Sequence, residues 1–199
     1  MYLTKKEVLE LMDQKLLVIR PLLDPAKQIN EVSIDFRLGT DFLLSYLGRE
    51  ISVDITNSAD SRPIQGIYSE TRRLVGEEFV FHPHQTVLCS TLEYIKLPDN
   101  VMLSLTTRSS YSRLGFNLST VVQPGYCGCI SIELTNTGNT PVKLLVGARI
   151  LQARLFKLSN STNYFSQEQD RKYVCQVRPQ ISKANLDHDL VTLKKMFSD

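Results

Sequence analysis

Between residues 4 and 16 the apolar positions Val8, Leu9, Leu11, Met12 and Leu16 recur near helical spacing, which predicts an opening helix. Thr4 followed by Glu7 reads as a capping box at its start. Beyond "RPLLDPAKQ" the pattern shortens to brief apolar runs. The segments "VSIDFRLG", "FLLSYL", "EISVDI", "EEFVFHP", "TVLCSTLEYIKLP", "VMLSLTTR", "CISIELTNTG" and "RILQARLFKL" are mostly bounded by Gly, Pro, Asn or Asp. They predict a mainly β domain, closed as a barrel or folded as a double-sheet roll so that its edges are protected. Residues 56–75 are polar and weakly periodic and read as an excursion from the sheet. No internal repeat or heptad run interrupts this picture.

Composition narrows the function classes. A chain of 199 residues with 42% hydrophobic and 22% charged residues suits one soluble domain. The formal charge of +2 balances 23 basic against 21 acidic residues, so no global field advertises a nucleic acid polymer or a membrane surface. No apolar run approaches the ~20 residues of a membrane span, and the start lacks a secretory pattern, so a cytoplasmic protein is expected. Cys89, Cys127, Cys129 and Cys175 are then expected as reduced thiols. The "CGC" at 127–129 has the wrong spacing for a paired zinc ligand set, and His82, His84 and His188 supply no matching second pair, so Cys127 and Cys129 read as core or interface residues.

Local chemistry concentrates in "TTRSSYSRLGF", residues 106–116, where short hydroxyl donors alternate with guanidinium groups. Both a solvated turn and an anion-binding loop are compatible with that composition. Along "CISIEL", Ile130, Ile132 and Leu134 share one strand face while Cys129, Ser131 and Glu133 share the other, so a carboxylate projects from a β surface. The stretch 163–190 has little core-forming content but carries Tyr164, Lys172, Tyr173 and Gln176. It reads as a segment that orders over a ligand or a neighbouring subunit.

Taken in order, "VSIDFRLG", "TLEYIKLP", "TRSSYSRLG", "QPGYCGCISIEL" and "DRKYVCQ" resemble the dCTP deaminase branch of the dUTPase superfamily over most of the chain. The resemblance implies a distorted jelly-roll β domain over 1–163 with a short N-terminal helix, and a tail or lid over 164–199 of the same domain. It implies a homotrimer with sites between subunits. The implied reaction is hydrolytic deamination of dCTP to dUTP and ammonia without zinc, with Glu133 as general acid and base. Ser109 and Arg113 would orient water and stabilise developing charge. Arg108 and Ser110 would meet phosphate, Tyr126 would pack on the deoxyribose, and Lys172, Gln176 and Tyr164 would reach the phosphates from the tail. Mg2+ is expected only as the ion carried by the triphosphate.

Two departures from the family pattern bear on the chemistry. Gln123 stands where an aspartate usually precedes Pro-Gly; its amide can bond the 3′-hydroxyl but cannot act as a base. The connection "LGFNLSTVVQ" is shortened, which leaves Ser119 and Thr120 as the nearest candidates to hold the attacking water. A bifunctional enzyme that also releases pyrophosphate, a dUTP diphosphatase, and a catalytically altered sensor or decoy therefore stay open beside the deaminase.

Overall fold

The computed structural model describes residues 1–45, 53, 55, 64–162, 172–173 and 175–196. The opening helix α1 (Lys5–Asp13) starts as its capping box requires. The Thr4 amide donates to Glu7 Oε2 at 2.8 Å, and the Glu7 amide donates to Thr4 Oγ1 at 3.5 Å. The Thr4 amide and hydroxyl, both donating to Glu7 Oε2, hold the Glu7 carboxyl below its usual pKa. The buried stripe is narrower than the sequence pattern: Val8 is buried and Leu11 and Met12 pack on the core, while Leu9 and Leu16 face solvent.

Next come β1 (Val18–Arg20), α2 (Pro25–Gln28), β2 (Ile34–Arg37), β3 (Asp41–Ser45), β4 (Tyr68–Arg72), β5 (Glu78–Phe81), β6 (Thr86–Lys96) and β7 (Val101–Thr107). The chain continues through α3 (Ser109–Ser112), β8 (Phe116–Asn117), β9 (Ser119–Val122), β10 (Cys127–Asn136), β11 (Val142–Leu145), β12 (Arg149–Lys157) and α4 (His188–Met196). A six-stranded sheet runs β4-β3-β6-β10-β8, with β1 also paired to β6; a four-stranded sheet runs β2-β12-β7-β9; β11 and β5 form a ribbon. All observed pairings are antiparallel. This is the double-sheet roll that the short alternating segments predict.

One core cluster joins the sheets, with Phe36, Leu103, Leu105 and Leu151 from one and Val87, Cys89, Ile132 and Leu134 from the other. Phe42 stacks on Phe79 with ring centroids 4.0 Å apart, and Phe81 meets Phe116 edge-on at 5.2 Å. Burial of these rings follows from the hydrophobic effect, and truncating a fully buried one such as Phe81 to Ala costs about 3–5 kcal/mol.

The polar stretch 56–75 is corrected by β4. Residues 68–72 form a sheet strand, paired from Asp41↔Arg72 to Ser45↔Tyr68. Its weak periodicity reflects a strand whose residues are all half-buried or exposed, so apolar alternation is absent. The segment 50–55, also read as a strand, lies outside the described residues apart from exposed Val53 and Ile55. The shortened connection after Arg113 holds β8 and β9, which cross from the six-stranded sheet to the four-stranded one.

A bulge shapes the strand of interest. Cys129 pairs with Tyr94 but Ser131 pairs with Ser90, so extra residues of β6 are accommodated there. Thr91 secures them: its Oγ1 accepts the Ile130 amide at 2.9 Å and donates to the Glu93 carbonyl at 2.7 Å. Strict alternation consequently fails at the start of β10, where Cys129 and Ile130 are both buried, and resumes from Ser131. Beside the bulge the Gly39 amide donates to the Ser90 carbonyl at 2.8 Å. A Cβ on Gly39 would sit 2.7 Å from that oxygen, so the glycine of "IDFRLG" permits the approach.

Candidate active site

From Ser131 onward β10 turns Ile132 and Leu134 into the core and leaves Glu133 on the outer face. There Glu133 borders a cavity of about 460 Å3. Its walls come from β4 (Tyr68), β6 (Leu88), β9 and the following turn (Thr120, Val122, Gln123, Tyr126) and the C-terminal segment (Tyr173, Gln180, Ser182). Glu133 is open to solvent at the mouth, yet the walls exclude enough water to raise its carboxyl above the usual 4.5. The same crowding raises the Tyr68 phenol, with the charges of Tyr173 and Glu133 adding to it. Among the described residues that line the cavity Glu133 is the sole carboxylate, and none is Lys or Arg.

Gln123 and Tyr126 reach the cavity through a tight turn at Pro124-Gly125, closed by the Tyr126 amide donating to the Gln123 carbonyl at 3.3 Å. Tyr126 is fixed further by donating its hydroxyl to the Cys129 carbonyl at 2.8 Å, so its ring forms a rigid wall. Thr120 lines the cavity, whereas Ser119 is exposed and lies outside its lining.

The serine and arginine stretch sits elsewhere. Ser109 and Arg113 line an open cleft of about 680 Å3 with Thr107, Asn117, Gln152 and Arg154. Among the described residues that cleft shares no lining residue with the Glu133 cavity and has no Asp or Glu in its lining. Ser110 is exposed and does not line it. Arg108 is engaged with the four-stranded sheet: its Nε lies 3.2 Å from Asp35 Oδ2 and its Nη1 donates to the Arg149 carbonyl at 2.9 Å. Burial raises the Asp35 carboxyl, while Arg108 and Arg149 pull it back down.

The C-terminal segment docks along β10. The Cys129 amide donates to the Gln176 carbonyl at 2.7 Å, and Ser131 Oγ donates to Gln176 Oε1 at 3.5 Å. Gly128 makes room for this contact, since a Cβ there would lie 2.6 Å from the Gln176 carbonyl oxygen. Lys172 pairs with Asp187, and the Tyr173 hydroxyl accepts the Lys183 amide at 2.8 Å. Tyr164 lies outside the described residues.

The structure thus gathers Glu133, Gln123 and Tyr126 around one cavity and Ser109 and Arg113 around another, with Gln176 and Lys172 packed in the segment that walls the first. Tyr68, Gln180 and Ser182 were missed as wall residues in the sequence. Tyr68 was hidden in the polar stretch, and the other two carry no pattern beyond being polar in a polar tail. Among the described residues no three His, Cys, Asp or Glu side chains converge as a metal site, and no helix is long and apolar enough to cross a membrane.

Comparison with known proteins gives this arrangement a family. A protein of Dictyoglomus turgidum named "dCTP deaminase, dUMP-forming" is 35% identical over 192 residues, covering 94% of this chain and 96% of its own. A protein of Methanobrevibacter smithii with the same name is 32% identical over 194 residues, with 94% and 97% covered. One of Natronomonas pharaonis, named "dCTP deaminase", is 33% identical over 193 residues, with 95% and 97% covered. The crystal structure of the 2′-deoxycytidine 5′-triphosphate deaminase of Agrobacterium tumefaciens shares the fold, with a TM-score of 0.58 at 19% identity. The match covers 77% of this chain and 47% of that one, so the chain spans about half that protein's length. Residues 2–158, which hold the Ser109–Arg113 cleft and the strand carrying Glu133, match the family model described as dCTP deaminase-like, and the chain belongs to that family.

Proposed function

We propose that this protein deaminates dCTP to dUTP and ammonia at a site completed between subunits of a homotrimer. The observation that carries this reading is the separation of charges. Among the described lining residues, the cavity of Glu133 has an acid and no cation, and the cleft of Ser109 and Arg113 has cations and no acid. A triphosphate needs cationic forks and hydroxyl donors, and a water attacking a pyrimidine needs a base. Apposing the two faces from neighbouring protomers supplies both.

In that site Glu133 takes a proton from water as its oxygen bonds to C4 of the cytosine. The carboxylic acid so formed delivers that proton to the ring nitrogen, and Glu133 then carries the proton of the new C4 hydroxyl to the exocyclic amine. Ammonia then leaves as the C4 carbonyl forms. The raised pKa of Glu133 suits it to both roles near neutral pH. Ser109 and Arg113 position the water and offset the charge that develops. The Tyr126 ring presses on the sugar at C2′ and leaves little room for a hydroxyl, Gln123 bonds the 3′-hydroxyl, and Arg108, Ser110, Lys172, Gln176 and Tyr164 serve the phosphates. Mg2+ travels with the triphosphate, whose oxygens and water coordinate it. Glu133 works in this reaction without zinc.

A second reading is favoured by the names of the relatives at 35% and 32% identity, which are dUMP-forming. In it the dUTP formed is hydrolysed further to dUMP and pyrophosphate. Gln123 cannot supply the base for that step, so Glu133 must serve twice.

Incubating the purified protein with dCTP while resolving dUTP, dUMP, ammonia and pyrophosphate tests both readings. Ammonia with dUTP supports deamination alone, and ammonia with dUMP and pyrophosphate supports the second reading. Bound but unchanged dCTP would overturn both and leave a sensor or decoy.

A further inference from the structure

The four cysteines fall into two classes by accessibility. Cys89 and Cys129 are buried; burial pushes the Cys129 thiol up to about 11 and the Cys89 thiol higher still, which leaves both unreactive. Cys127 is half-buried and Cys175 is exposed, and their Sγ atoms lie 2.7 Å apart. One belongs to the first residue of β10 and the other immediately precedes Gln176 in the docked segment.

This closeness is not an accident of two mobile side chains. The backbone on both sides is held, because Cys129 donates to the Gln176 carbonyl and Gly128 lets the segment approach. The β6 register places Lys96 opposite Cys127 and Tyr94 opposite Cys129, which fixes Cys127 from its other side. A disulfide has an S–S bond of about 2.05 Å, so only a small movement separates the thiols from bonding.

We propose that Cys127 and Cys175 are a thiol modification site, oxidised by a small disulfide of the glutathione class to an intramolecular disulfide that fastens the C-terminal segment to β10. The exposed Cys175 thiolate attacks the reagent disulfide, forming a mixed disulfide and releasing one thiol. The Cys127 thiolate then attacks Cys175 Sγ and displaces the second thiol. The two protein thiols lose two electrons and two protons, and the reagent disulfide is reduced to two thiols. The neighbouring Cys127 raises the Cys175 thiol, so the exchange runs faster at mildly alkaline pH than at neutrality.

The consequence lies beside the cavity. Tyr173, Gln180 and Ser182 wall it from the same segment, so the oxidised chain keeps that wall in place while the reduced chain can release it. This goes beyond the deaminase reading and does not depend on any nucleotide.

The test oxidises the full chain with oxidised glutathione at pH ~8, alkylates remaining thiols after denaturation and maps peptides without reduction. The expected result is a linked Cys127–Cys175 peptide with Cys89 and Cys129 alkylated, and recovery of the Cys127 and Cys175 thiols with dithiothreitol. Tryptic cleavage at Lys172 and Lys183 should slow on oxidation of the natural chain and stay unchanged in Cys175→Ser, a substitution at an exposed site that spares the core. A stable glutathione adduct on Cys175, a link to another chain, or full alkylation of both residues would overturn the pairing. Equal cleavage of the oxidised and reduced natural chain would overturn the fastening.

Discussion

The Cys129 amide donates to the Gln176 carbonyl at 2.7 Å, which places the C-terminal segment on the strand that carries Glu133. Strand β10 therefore does two things at once: its bulge presents a backbone donor to the tail, and its regular half presents the carboxylate to the cavity.

The first prediction concerns the residue that permits this docking. Gly128 has φ +143, and a Cβ there would meet the Gln176 carbonyl oxygen at 2.6 Å. Gly128→Ala should destabilise the folded chain by about 1–3 kcal/mol and speed proteolysis within 172–183. Thermal melting and limited trypsin digestion measure the two effects; unchanged digestion would show that the segment docks without that contact.

Stability should also depend on pH through Glu93. It is fully buried, with Oε1 accepting from Gln28 Nε2 at 2.9 Å and Oε2 accepting from the Arg37 amide at 2.8 Å, and burial pushes its pKa up to about 7. The folded state thus holds a proton that the unfolded state releases from about 4.5 upward. Unfolding free energy should fall as pH rises from about 4.5 to about 7, by no more than about 1.4 kcal/mol per pH unit from this group. Urea melts of the natural chain and Glu93→Gln, which carries no titrating carboxyl there, should differ in slope across that window. Identical slopes would mean that Glu93 is ionised throughout.

Assembly gives the third prediction. The chain should sediment as a trimer of 22.6 kDa protomers. Glu133→Gln and Arg113→Ala should each be inactive alone, and coexpressed subunits should regain part of the activity because some interfaces pair an intact Glu133 with an intact Arg113. A fully active monomer would contradict the shared site.

Deleting residues 164–199 should leave the β core folded while weakening triphosphate binding by about tenfold or more, the loss of a charge-assisted hydrogen bond of about 1.5–3 kcal/mol. Equilibrium binding of dCTP measures it. Normal binding and turnover by the truncated chain would remove Lys172 and Gln176 from the site.

How far the sequence carried depends on where the information lay. The outward placement of Glu133 was legible because Ile132 and Leu134 alternate with it, and Cys129 is buried as its reading as a core or interface residue expects, but the bulge beside it was not legible, because it is set by Thr91 on another strand. Arg108 and Arg113 look alike in "TRSSYSRLG", and only the distant Asp35 separates them, holding Arg108 while Arg113 faces the open cleft. β4 escaped notice because β3 supplies its pairing through backbone bonds that ask little of its side chains. The shorter of the bonds that dock Gln176 runs through its backbone carbonyl, which leaves no mark on residue type.

The most direct measurement is ammonia release from dCTP by the natural chain and by Glu133→Gln at equal, saturating nucleotide occupancy. The substitution keeps the shape of the side chain and removes its proton transfer, so release should fall by about 10²–10⁴-fold or more while dCTP binding persists. In the natural chain the rate should also drop on acidification, as protonation of Glu133 sets in above its ordinary 4.5. Ammonia release by Glu133→Gln at close to the natural rate would contradict the account.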